Sequence, residues 1–153
     1  MFRSTLVAAV VMVAGVPAHA QTSDELTSAA WSCRMTSLLD EPGMDANLAF
    51  NADGSLEGWF YVEVPDSGDV ISLEFSILGS WSLDGAVISS AVEESEVLAG
   101  ANNGEAFSPE ELAQMADGMG DALSSFSGES TIAYISPHAM VLDELEASIS
   151  CWR

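Results

Sequence analysis

The chain has 153 residues, the size of a single domain, and carries 24 Asp and Glu against three Lys and Arg, a formal charge of −21. Such a surface repels nucleic acid, whose binding requires Lys and Arg against phosphate, and disfavours anionic membrane surfaces. Apolar residues still make up 48% of the chain, so the charge does not mark a disordered polymer.

Residues 1–20 predict an export signal. Arg3 supplies the positive start, Leu6 to Val16 is an apolar run too short to anchor in a bilayer, and "PAHA" offers small residues for cleavage between Ala20 and Gln21. No cysteine follows that run, and no later segment approaches the roughly 18 apolar residues of a membrane helix. An exported protein, periplasmic or extracellular, without a membrane anchor is therefore expected. Removal of the signal leaves Arg34 and Arg153 as the only cationic residues of the Lys/Arg type, with no lysine.

Residues 21–29 read as a polar lead-in, and residues 30–153 as one β domain. "ANLAFNADGSLEGWFYVEV" holds two extended runs around Asp53-Gly54, a hairpin signal. "VISLEFSI" alternates, with Ile71, Leu73, Phe75 and Ile77 on one face and Ser72, Glu74 and Ser76 on the other. Asp84-Gly85 marks a second hairpin after Trp81, and "LAGANNGEAF" reads as a loop. "SPEELAQMADGMGDALSSF" differs: Ser108 is a cap, Pro109 opens a helix, and Glu111 completes a capping box. Leu112, Met115, Met119, Leu123 and Phe126 follow as one apolar stripe over 108–126. "STIAYIS", "AMVLDEL" and "EASISCW" predict three closing strands. The sum is a mainly β fold: a single antiparallel barrel or strongly curled sheet of about eight strands, with one helix inserted late.

Two cysteines in an exported domain predict a disulfide between Cys33 and Cys151. If the first and last strands are antiparallel neighbours, facing residues sum to 184, so Arg153 faces Trp31, Trp152 faces Ser32 and Arg34 faces Ser150. Trp31, Arg34, Trp152 and Arg153 would then form a seam that latches the sheet, with Arg153 placed for a cation–π contact on Trp31. A tryptophan on the first strand covered by an arginine from the last resembles the signature of lipocalins and related small barrels. The Gly-x-Trp of lipocalins is replaced here by Ala29-Ala30-Trp31, and the helix precedes the final strands, so the chain is lipocalin-like rather than a standard lipocalin. The resemblance implies an up-and-down barrel that holds a small apolar molecule, lined by residues such as Leu56, Phe60, Leu73, Phe75 and Ile77.

Residues suited to catalysis are few. His138 is the one histidine after the signal and falls in a strand connection; no GxSxG, HExxH or P-loop is present. Glu57 and Glu63 flank Trp59 and Tyr61 on one strand face, a pattern compatible with a carboxylate pair or with a solvated outer wall. The turn at Asp53 resembles a calcium loop, but Ala49 and Phe60 occupy the first and last ligand positions. Glu93, Glu94 and Glu96, and Asp143, Glu144 and Glu146, read as solvated runs, and Met115 with Met119 as core. No catalytic residue, metal or cofactor is assigned. The expectation is a non-enzymatic, exported binding protein for a small apolar ligand; the alternative is an acidic envelope protein that captures a cationic protein.

Overall fold

Two strand pairings, first to last and fourth to fifth, turn a nine-stranded antiparallel sheet into a closed barrel. The computed structural model describes residues 18–37, 44–124, 127–144 and 147–153, with side chains for all of these except 18–21, 37 and 118–124. Its elements are α1 (Ala18–Thr27), β1 (Trp31–Ser37), β2 (Met44–Phe50), β3 (Ser55–Asp66), β4 (Asp69–Asp84), β5 (Val87–Asn102), β6 (Glu105–Ala106), α2 (Pro109–Ser124), β7 (Gly128–Ile135), β8 (Ala139–Asp143) and β9 (Ala147–Trp152). The barrel runs β1-β2-β3-β4-β5-β7-β8-β9 and back to β1, so eight strands close it and β6 is a short addition to the far end of β5. The apolar run of 6–16, Phe126 and Glu146 lie outside the described residues, as do the side chains of Met119 and Leu123.

Both Asp-Gly turns form where the hairpin signals stand. In the first, Asp53 accepts from the backbone N–H and hydroxyl of Ser55 at 2.9 and 2.7 Å, and the Gly54 N–H donates to the Asn51 carbonyl. These bonds use the Asp53 oxygen that a calcium loop would direct at an ion, and they hold its carboxyl below the usual carboxylate range. The second turn joins Asp84 to Val87 across β4 and β5.

The segment read as a loop after Val97 is instead strand. β5 continues to Asn102, turns through Asn103 and Gly104 at φ 50° and 83°, and returns as β6. Two successive left-handed residues make the type of tight turn whose twist suits a hairpin, and Asn-Gly is its favoured sequence. The Asn103 side chain also ties the tip to the neighbouring hairpin, accepting from the Val70 N–H and donating to Asp69.

α2 follows because β5 outruns its partner. Only Val87 to Ser90 pair with β7; between Ser90 and Ala101, where β6 pairs, no strand lies on that side of β5, and α2 packs along it. The chain leaves β5 where the Phe107 N–H donates to the Gly100 carbonyl, and returns where Ser127 Oγ accepts from the Val92 N–H. Eight strand residues span roughly 26 Å and sixteen helical residues roughly 24 Å, so the helix matches the stretch it covers. Its start is a reciprocal capping box: the Ser108 N–H and hydroxyl donate to Glu111 at 2.7 Å each, and the Glu111 N–H reaches back to Ser108 Oγ.

The polar stretch 21–29 is more than a lead-in. It supplies most of α1, whose Leu26 is fully buried in the core cluster.

Candidate ligand-binding site

The site is the inside of the barrel, and it is built in layers from the seam upward. β1 and β9 pair with a sum of 184 from Ser32 to Ser37, setting Cys33 opposite Cys151 and Arg34 opposite Ser150. The disulfide joins Cys33 and Cys151 with their Cα atoms 4.0 Å apart. Alternation along the two strands sorts the seam residues onto two faces. Trp31, Cys33, Ile149 and Cys151 point inward and are buried. Arg34 and Trp152 stand outside, Trp152 half exposed, and Arg34 reaches Asp45 only at 3.9 Å with both side chains more than half exposed. The two arginines therefore do not converge on a shared anion site.

The lowest layer is a plug. Trp31 is completely buried; its indole N–H donates to the Leu26 carbonyl at 3.1 Å, which fixes α1 beneath the barrel. The Arg153 guanidinium covers the ring with its carbon 3.9 Å from the centroid, a contact worth about 0.5–1 kcal/mol or more when desolvated. Arg153 Nε donates to the Pro137 carbonyl at 2.6 Å, and its backbone N–H to His138. Its Nη1 is buried without an acceptor among the described residues, so the ring, not a carboxylate, holds the charge. His138 itself is an exposed turn residue. Above the plug, the disulfide packs with Met140 and Ala46, its strand neighbours, in one buried cluster.

Above the disulfide the barrel is open. A cavity of about 510 Å³ is walled by Met35, Leu56, Phe60, Ile77, Leu142 and Ile149, among others. Its mouth lies where β5, β7, the end of β8 and the start of β9 meet, at Ser90, Gly128, Glu129, Ser130, Glu144 and Ala147. This size is within the ~300–1,000 Å³ of small-molecule sites, which share the pattern of apolar walls and few polar groups.

Of the five lining residues expected from the sequence, all are buried, but they divide. Leu56, Phe60 and Ile77 face the cavity. Phe75 stacks behind Phe60, ring centroids 5.0 Å apart and planes 7° from parallel, so it supports the wall without reaching the space. Leu73 lies farther along β4, where it and Phe107 close over Gly100 beside α2. The mouth residues Ser130 and Glu144 had no signal in the sequence beyond a strand edge and an acidic turn.

The other candidates are surface features. Glu57, Trp59, Tyr61 and Glu63 do share one face of β3, the outer one, with the Tyr61 hydroxyl donating to Glu63 at 2.6 Å. That bond favours the protonated phenol and raises the Tyr61 pKa above its ordinary value. Six residues of strand put Glu57 and Glu63 roughly 20 Å apart, too far for a carboxylate pair across a glycosidic bond. Glu93, Glu94 and Glu96 are exposed on β5, and no group of three metal-binding side chains occurs among the described residues. A second, open hollow of about 640 Å³ lies between α1 and the Asp84-Gly85 turn, floored by Trp81. No protein-family model matches the chain, and no curated protein sequence is significantly similar to it.

Proposed function

We propose that this protein is an exported, lipocalin-like carrier or scavenger that holds a small apolar molecule inside the barrel. The observation that carries the reading is the 510 Å³ cavity with its mostly apolar walls and the polar residues at its mouth. An eight-stranded barrel is just wide enough to hold one small ligand where its inward side chains leave space, and the small residues Gly128 and Ala147 are among those lining this cavity. Trp31 under Arg153 supports the likeness to lipocalins. The disulfide fits an oxidising compartment outside the cytosol.

Native mass spectrometry of the protein recovered from its own host tests this reading. A bound small molecule that is lost on denaturation is expected, and its mass identifies the cargo. Protein that is bare from its host and fails to take up any apolar probe after refolding overturns it.

A second reading rests on charge: with −21 overall and its two described arginines engaged, the barrel would attract cationic proteins. Capture of a basic partner would weaken steeply between low and high salt, whereas uptake of a neutral apolar ligand would barely respond.

A further inference from the structure

From the mouth of the cavity we infer that the preferred cargo is a cationic amphiphile, an apolar chain or ring system that ends in an amine or quaternary ammonium group. This rests on the reading of the cavity as a ligand site and names the ligand class.

Side chains alternate between the two faces of β8. Met140 and Leu142 point inward and are buried, and Glu144, the next residue in that series, reaches the cavity mouth. Its Oε1 accepts from Ser130 Oγ at 2.8 Å, and Ser130 itself lines the same mouth from β7. The hydrogen bond anchors the carboxylate toward the opening while leaving its other oxygen able to accept. Ser90 and Glu129 add acceptors on the β5 and β7 sides.

No cation of the described protein answers this carboxylate. Arg34 lies on the outer wall beside Asp45, and Arg153 is spent on Trp31 and Pro137 at the opposite end of the barrel. A ligand whose apolar part fills the space beneath Phe60, Leu142 and Ile149 must leave its polar end at Glu144. An anionic head there meets like charge, a neutral head gains a hydrogen bond, and an ammonium head gains a charge-assisted one. The overall charge works in the same direction by concentrating cations around the molecule. Because the mouth is solvated, Glu144 contributes a factor of only about two to five in affinity.

Calorimetric titration with dodecylamine, dodecanol and dodecanoate below their aggregation concentrations tests this. The expected order is amine tightest and carboxylate weakest, with the amine's advantage over the alcohol shrinking at high salt. Glu144→Gln is expected to reduce that advantage two- to fivefold. Glu105→Gln, an exposed acid at the far tip on β6, is expected to leave it unchanged. If alcohol and amine bind alike, or if Glu105→Gln lowers the amine as much as Glu144→Gln, the head-group assignment is overturned and the apolar cavity stands. If none of the three binds, the cavity reading fails and this inference with it.

Discussion

Reducing the Cys33–Cys151 disulfide is the perturbation with the largest calculable effect. The bridge closes a segment with a sequence separation of 118, and on the chain-entropy relation a loop of that size restricts the unfolded chain by about 5 kcal/mol at 25 °C. Both sulfurs are buried, at 2% and 3% exposure, and reduction leaves their volume in place, so little packing is lost alongside the constraint. For roughly 120–150 folded residues the entropy of unfolding at the midpoint is about 0.25–0.3 kcal/mol/K, and 5 kcal/mol corresponds to a fall in Tm of about 15–20 °C. The assay is thermal unfolding by circular dichroism of oxidised protein and of protein refolded with a thiol-free reductant, with free thiols counted in each. A fall of less than about 5 °C with both thiols confirmed free would mean that the first and last strands are held in the unfolded state, or latched in the native one, by something other than this bond.

Leu26→Ala is expected to cost about 2–5 kcal/mol in denaturant unfolding, because Leu26 is fully buried under the Trp31 plug; a loss below 1 kcal/mol would mean α1 is not part of the folded unit. Gly79→Ala is expected to destabilise by about 1–3 kcal/mol, since Gly79 sits at the β4–β5 bulge with its missing Cβ directed at the Ala91 carbonyl, and an unchanged unfolding midpoint contradicts that close approach. On acidification, Glu111 and Asp53, whose pKa values are lowered by their bonds to Ser108 and Ser55 respectively, contribute stability that is complete above their unfolded values near pH 4 and is lost as pH falls through the lowered folded ones. Ser108→Ala should accordingly flatten part of the stability change below pH 4.5, and an identical acid profile in the variant rejects the capping-box account.

The legible parts of the fold were those carried by local rules. Strict alternation from Ile71 to Ile77, the two Asp-Gly turns and the Ser108 to Glu111 box each state their structure within a few residues, and the 184 register follows from the cysteines alone. The overlooked parts are set by distant contacts. Among the described side chains of α1, Leu26 alone is buried and apolar, so no periodic stripe announced the helix. β5 beyond Val97 is largely exposed and Gly- and Ala-rich, without a buried face to mark it as strand; the Asn103-Gly104 turn was the available signal. Register shifts at Glu74/Phe75 and Leu78/Gly79 also alter which parts of β4 and β5 face each other. Which inward residues meet open space rather than another side chain depends on how eight tilted strands stagger around the barrel. That is why Phe60 lines the cavity while Phe75, opposite it on the next strand, only backs it.

The most direct test of the cavity as a ligand site is the affinity of dodecanol for the native protein and for Ala147→Phe. Ala147 points inward at the mouth beside Ile149, so a phenyl ring there occupies space that is otherwise empty and leaves the plug, the disulfide and the outer wall untouched. Binding to the native protein is expected, with a loss of at least tenfold in the variant at an equal or higher thermal midpoint, since filling a void adds apolar contacts. Equal affinity in the two proteins would contradict it, placing the apolar ligand somewhere other than the barrel interior.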